Sequence, residues 1–154
     1  LLLNLLQWIF IITHAMECFD DEETCKQKVK PMITEITAEN AAKGRDSRAF
    51  DITDKHAITG NKMLPPFPDK YNMAMFGMGC FWSSEKMFYK LDGVYSTQVG
   101  YAGGYTPHPI YKEVKDNLTG HVEVVRIIFD PDIIEYKDLL QLFWESHNPC
   151  QGMR

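Results

Sequence analysis

Cysteine is scarce in this 154-residue chain, which has only Cys18, Cys25, Cys80 and Cys150. Four widely spaced cysteines do not fit the disulfide framework that stabilises a small secreted fold. His147 and Cys150 have the spacing of half a zinc site, but no second pair is placed to complete it. We therefore expect no metal, and at least one cysteine needs another explanation.

Clustered positive charge is also missing. The chain has 16 basic and 21 acidic residues and a formal net charge of −5, and the basic residues are scattered. A protein that binds a nucleic-acid backbone usually carries clustered Lys and Arg, so we expect no nucleic-acid partner. The glycines between residues 100 and 104 lack the spacing and the following Lys of a phosphate-binding loop, which argues against a nucleotide or flavin cofactor.

Long apolar runs are limited to residues 1–15, which are too short and too interrupted to span a bilayer comfortably. Two interpretations remain open: the remnant of a secretory signal ending at Ala15, or upstream sequence translated in frame, with initiation at Met16. We expect no membrane partner and a cytoplasmic location, with the secretory pathway as the alternative under the first interpretation. Residues 16–72 mix charges with breakers and show no sustained periodicity, which predicts a mostly flexible leader.

The pattern changes at Met73, where regular elements begin. Apolar spacing and turn residues predict strands at 73–78, 94–101 and 122–129 and helices at 81–91 and 136–146. The order β-α-β-β-α predicts an α+β domain over residues 73–154. Its topology is one strand short of the ferredoxin-like, split β-α-β arrangement. We therefore expect a ferredoxin-like core with a mixed sheet and two helices, with the final strand missing.

Cys80 is the most informative position, because it stands where a strand passes through Gly77 and Gly79 into a helix. Reactive cysteines are typical of helix N-termini, whereas a lone buried cysteine is usually a small core residue. Phe81 and Trp82 follow it directly. Consecutive helical residues point about 100° apart, so one ring is expected in the core and the other at the mouth of a site.

Five motifs occur in order at compatible spacing across residues 73–154. They are Gly-Cys-Phe-Trp at 79–82, Gly-Tyr-Ala-Gly-Gly-Tyr at 100–105, Pro-x-Tyr at 109–111, Thr-Gly-His-Val-Glu at 119–123 and Phe-Trp-Glu-Ser-His-Asn-Pro at 143–149. Together they resemble the A-type peptide methionine sulfoxide reductases. The resemblance covers the predicted domain, and residues 1–72 lie outside it.

The resemblance implies a function for five residues. Cys80 would attack the sulfoxide sulfur and become a sulfenic acid, and Glu123 would protonate the departing oxygen. Tyr111 would help to hold that oxygen, while Phe81 and Trp82 would form a cradle for the substrate methyl. Without the resemblance, Glu123 would be interpreted as a solvent-facing strand residue and Tyr111 as a surface turn residue.

The resemblance also implies a reaction and its partners. The substrate would be the S-epimer of methionine sulfoxide, free or in oxidised proteins, so the enzyme would repair oxidative damage. Electrons would come from thioredoxin or another dithiol, with no cofactor, and we expect a monomer.

Three departures from the family pattern qualify this interpretation. Ser83 stands where the family typically has Gly, so its hydroxyl would narrow the pocket or add a hydrogen bond at the helix start. The family's usual resolving cysteines are not found, and Cys150 is a weak substitute. The sequence also stops before the segment that supplies an aspartate and a second oxygen-binding tyrosine in this family.

Two other functions stay open. The chain could be a non-catalytic protein that binds oxidised methionine, a reading that the third departure favours. It could also be a cysteine hydrolase that pairs Cys80 with His121 or His147. Both histidines more often serve as hydrogen-bonded structural residues in such positions than as bases.

Overall fold

The fold is a small α+β unit built on one sheet. The structure, a computed structural model, describes residues 10–11 and 35–148. The strands are β1 (Phe10–Ile11), β2 (Asn72–Phe76), β3 (Val94–Ala102) and β4 (Val122–Phe129), in the spatial order β1-β2-β4-β3. β2 and β3 both pair antiparallel with β4. They therefore run parallel to each other with β4 between them, which is a split β-α-β unit.

The sheet differs in one respect from the predicted one. Between residues 72 and 129 every strand pairing is antiparallel, and the parallel pairing comes from β1, which lies beside β2. The mixed character of the described sheet thus arises from the N-terminal part of the chain rather than from the predicted domain. The wider ferredoxin-like assignment, which depends on a final strand, stays a prediction.

Three helices complete the described part of the chain: α1 (Phe81–Phe88), α2 (Tyr111–Lys115) and α3 (Tyr136–Ser146). The structure confirms the predicted bounds of β4 and α3. α1 ends three residues earlier than predicted, because the Leu91 amide already donates to the Phe88 carbonyl in a turn. α2 was not predicted from the sequence, since five residues after Pro109 are too few to show helical periodicity.

The hydrophobic core lies where α1 and α3 cover one face of the sheet. Phe76 of β2 stacks on Phe88 of α1 and on Phe143 of α3, with ring centroids 5.4 and 5.3 Å apart. Fully burying a side chain of this size contributes about 1.5–3 kcal/mol. Phe81 packs in the same cluster. The start of α1, and with it Cys80, is therefore fixed to a rigid sheet.

Part of the predicted flexible leader belongs to the folded unit. The buried His56 side chain lies 2.8 Å from the Thr97 hydroxyl of β3, and Lys70 forms an ion pair with Asp130 at 2.6 Å. The expectation of a mostly flexible segment therefore does not fit residues 35–71. Side-chain contacts hold this segment without regular secondary structure, so a periodicity argument could not detect them.

Several sequence predictions concern residues that the structure does not describe. These include the two interpretations of residues 1–15, of which only the strand at 10–11 is described. They also include any function of Cys18, Cys25 and Cys150. Among the described residues, no helix is both long enough and apolar enough to cross a membrane.

Candidate active site

Cys80 stands immediately before α1, in the N-cap position, with φ −53° and ψ 113°. Its thiol is free and the residue is solvent-exposed. Gly79 makes this placement possible, because its φ of +81° lies in the left-handed region that other residues rarely adopt. The turn therefore presents the thiol at the surface, at the end of a strand and the start of a helix.

Glu123 of β4 reaches across to the start of α1. Its Oε2 accepts a hydrogen bond from the Phe81 backbone amide at 2.9 Å, and the residue is half-buried. The first amides of a helix have no partner within the helix, so this carboxylate supplies one of the missing acceptors. Phe81 directly follows Cys80, so Glu123 binds the backbone of the residue next to the thiol. Glu123 is not a free carboxylate on the solvent face of an edge strand.

Phe81 and Trp82 point in different directions. Phe81 is 9% exposed and packs in the core, whereas Trp82 is 77% exposed. This confirms the expectation that one ring joins the core and the other does not, since neighbouring helical side chains diverge by about 100°. An exposed indole beside an exposed thiol leaves a large apolar surface available to a ligand.

Tyr101 adjoins Glu123 and Phe81, and no function for it was predicted from the sequence. It lies opposite Glu123 in the pairing of β3 with β4, and its ring centroid is 5.7 Å from that of Phe81. Burial raises the pKa of Tyr101 above its ordinary value of 10.0, and the nearby charge of Glu123 raises it further. The phenol therefore keeps its proton at neutral pH. In the sequence, Tyr101 is the second residue of the glycine-rich motif at 100–105, and this position could have indicated it.

Tyr111 is the first residue of α2 and is 57% exposed. Its charge also contributes to the raised pKa of Tyr101, after burial and Glu123. Tyr101 thus interacts electrostatically with both Glu123 and Tyr111. Tyr111 lies at the start of a short helix rather than in a simple turn.

Ser83 and Ser84 both bind the backbone of Cys80. The Ser83 hydroxyl donates to the Cys80 carbonyl at 3.1 Å and the Ser84 hydroxyl at 3.0 Å. Of the two effects expected for Ser83, the hydrogen bond at the helix start is therefore present.

His121 uses both ring nitrogens within the fold. Its Nδ1 accepts from the Gly104 amide at 3.0 Å, and its Nε2 is 2.8 Å from the Thr106 carbonyl, to which it therefore donates. This supports a structural function and leaves no free nitrogen for a catalytic base. His147 likewise hydrogen-bonds through Nδ1 to the Phe143 carbonyl. Within residues 35–148, no group of three or more His, Cys, Asp or Glu side chains is arranged to hold a metal ion.

Comparison with known proteins decides the family. The family model described as Peptide methionine sulfoxide reductase matches residues 72–154, which is more than half of the chain. The chain belongs to this family. The mitochondrial peptide methionine sulfoxide reductase of Bos taurus is 52% identical over 119 residues, which are 77% of this chain and 51% of the relative. The MsrA of Rippkaea orientalis is 52% identical over 122 residues, which are 79% of this chain and 56% of that protein.

A solved structure agrees with these relatives. Methionine sulfoxide reductase A of Corynebacterium diphtheriae matches with a TM-score of 0.69 and 33% identity, over 77% of this chain and 55% of that one. The chain spans about half the length of the curated relatives it matches. Their alignments are longer than residues 73–154, so the similarity includes part of the leader, contrary to the expectation that residues 1–72 lie outside it.

Proposed function

We propose that the chain reduces methionine S-sulfoxide, free or in oxidised proteins, by attack of Cys80 on the sulfoxide sulfur. The sulfoxide oxygen passes to the cysteine, so methionine is reduced by two electrons and Cys80 is oxidised to a sulfenic acid. The observation that carries the proposal is the 2.9 Å hydrogen bond between Glu123 and the amide that follows Cys80. It holds the Glu123 carboxyl at the helix start that directly follows Cys80.

Glu123 is the proton donor in this proposal. The sulfoxide oxygen is a poor leaving group until it is protonated, so an acid must stand next to the attacking sulfur. The neutral Tyr101 phenol interacts electrostatically with both Glu123 and Tyr111, and both tyrosines are hydroxyl donors. We assign Tyr111, and with it Tyr101, to hold the oxygen as negative charge develops on it.

Trp82 is the substrate-facing aromatic residue, and Phe81 supports it from the core. The exposed indole offers an apolar face for the methyl group attached to the oxidised sulfur. Thioredoxin or another dithiol then completes the cycle. Two thiols reduce the sulfenic acid, form a disulfide and release water. The monomeric state and the cytoplasmic location stay predictions; the Bos taurus relative is named as a mitochondrial protein.

A single-turnover assay tests the proposal. The reduced protein is mixed with N-acetyl-methionine S-sulfoxide without an added reductant, and N-acetyl-methionine is measured against protein. We expect one equivalent from the wild type, none from Cys80→Ser and none from the R-sulfoxide. Substrate binding without product would instead identify a non-catalytic binding protein, and ester hydrolysis would identify a hydrolase.

A further inference from the structure

Tyr111 depends on its surroundings for its position. It begins α2, a helix of five residues, within a loop region that extends from residue 103 to residue 121. An isolated helix of this length is unstable in water, because nucleation costs more than a single turn returns. Contacts from elsewhere in the fold must therefore hold α2, and with it the tyrosine assigned to the sulfoxide oxygen.

Arg45 supplies contacts on both sides of Tyr111. Its Nη1 and Nη2 donate to the two carboxylate oxygens of Glu113 at 3.0 and 2.9 Å, and Nη1 also donates to the His108 carbonyl at 3.2 Å. The planar guanidinium matches a carboxylate in this paired arrangement, which fixes direction as well as distance. Glu113 in turn accepts from the Ile110 amide at 3.0 Å, so the same carboxylate caps the start of α2.

This carboxylate stays charged at physiological pH. The hydrogen bonds from Arg45, followed by the bond from the Ile110 amide, lower the pKa of Glu113 from 4.5 to about 2. The paired contact and the helix cap therefore persist together over the whole neutral range.

The backbone around Arg45 follows the same loop closely. The Ala42 amide donates to the Leu118 carbonyl at 2.7 Å, and the Arg45 amide donates to the Pro107 carbonyl at 3.1 Å. Gly44 is required between them, because a Cβ there would lie 2.2 Å from the Pro107 carbonyl oxygen and its φ is +71°. Residues 42–45 thus form a strap along the loop that carries Tyr111.

We infer that Arg45, which lies outside residues 72–154 of the family-model match, is a positioning residue for Tyr111 and so for the oxygen-binding side of the site. The inference rests on the proposed function. Arg45 acts through Glu113 and the His108 carbonyl and does not itself touch the substrate. The leader thereby contributes to the active site, because it holds Tyr111 in position.

The chain offers a matched control for this inference. Lys70 also belongs to the segment before β2, and it forms an ion pair with Asp130 at 2.6 Å. Asp130 follows β4, at the opposite end of that strand from Glu123. Lys70→Ala therefore removes an equivalent link between the leader and the domain without touching the loop of Tyr111.

The experiment is a double-mutant cycle on single-turnover rates with N-acetyl-methionine S-sulfoxide, using Arg45→Ala, Tyr111→Phe and the double variant. We expect Arg45→Ala to slow the reaction about 10-fold to 100-fold, as misplacement by an ångström can. We expect the double variant to be no slower than Tyr111→Phe, and Lys70→Ala to stay within twofold of the wild type. Arg45→Lys keeps the charge but loses the paired guanidinium contact, so its rate should lie between those of Arg45→Ala and the wild type. If Arg45→Ala does not fold, Arg45→Lys takes its place in the cycle.

The inference would be overturned if Arg45→Ala reacted at the wild-type rate. It would also be overturned if the Arg45→Ala substitution slowed the wild type and Tyr111→Phe by the same factor. A second readout separates it from the proposed function. Amide hydrogen exchange at residues 110–117 should accelerate in Arg45→Ala and not in Lys70→Ala, even if no sulfoxide is reduced. Absence of turnover in the unmodified chain would then refute the function alone, whereas unchanged exchange would refute the positioning.

Discussion

Glu123 of β4 accepts a hydrogen bond from the backbone amide of Phe81 at 2.9 Å, and Phe81 is the residue after Cys80. One carboxylate oxygen is engaged in capping the helix, and the second is free of this bond. The same side chain can therefore hold the start of α1 while, in the proposed mechanism, it donates a proton to the sulfoxide oxygen. Substitution can separate these two functions.

Glu123→Gln separates the two functions. The amide oxygen of Gln still accepts from Phe81, but the side chain cannot donate an acidic proton, so folding is kept and proton transfer is lost. We expect the single-turnover rate to fall about 100-fold to 10,000-fold, the usual contribution of a general acid. Glu123→Ala should also lose about 1 kcal/mol of stability, because it removes the cap as well. Wild-type turnover in Glu123→Gln, measured beside its thermal unfolding, would rule out the acid function.

Phe81 and Trp82 should respond oppositely to truncation. Phe81→Ala leaves a cavity in the core and is expected to lower the free energy of unfolding by about 3–5 kcal/mol. Trp82→Ala removes an exposed ring, so stability should stay unchanged while substrate affinity falls about 10-fold, the equivalent of about 1.4 kcal/mol of aromatic contact. Denaturant unfolding and the concentration dependence of the single-turnover rate measure the two effects. Equal affinity in Trp82→Ala and wild type would remove Trp82 from the substrate site.

His56 should make stability depend on pH. Its Nδ1 accepts from the Ile58 and Thr59 amides, and burial lowers its pKa below the ordinary value of 6.5, although Glu85 partly opposes this. The unfolded chain therefore binds a proton at His56 more readily than the folded chain. The stabilisation that the neutral histidine provides is complete above pH 6.5. It is lost as the pH falls from 6.5 through the lower pKa of the folded state.

His56→Asn tests this sign, since Asn can still accept from the two amides but does not titrate. We expect a smaller loss of unfolding free energy between about pH 7 and pH 5 in this variant than in wild type, measured by denaturant titration. His108→Asn is the control, because His108 is exposed and its φ of 46° suits Asn. An unaltered pH dependence in His56→Asn would show that another group is responsible.

The sequence predicted the regular parts of this fold better than its connections. β4 and α3 have the predicted bounds, because β4 is a mostly apolar run that Asp130 and Pro131 end and α3 has a clear apolar face. α2 was missed because it has a single turn. The order of the strands, and the parallel pairing of β1, depend on contacts between distant residues and have no local signature.

The site was predicted only in part, because some of its contacts also join residues that are distant in the sequence. The motifs indicated Cys80, Glu123, Phe81, Trp82 and Tyr111, and the structure joins the first two through the Phe81 amide. Tyr101 lies in the glycine-rich motif at 100–105, but only its register opposite Glu123 links it to the site. The contact between Arg45 and Glu113 links residues 68 positions apart, so no local pattern could have revealed it.

Trapping the oxidised form of Cys80 tests the proposed thiol chemistry without relying on any other residue. The reduced protein is exposed to N-acetyl-methionine S-sulfoxide with a reagent specific for sulfenic acids, and peptides are analysed by mass spectrometry while the released methionine is counted. We expect the adduct at Cys80 in an amount equal to the methionine formed, and we expect neither product in Cys80→Ser. Methionine formed without modification of Cys80 would contradict the proposed chemistry.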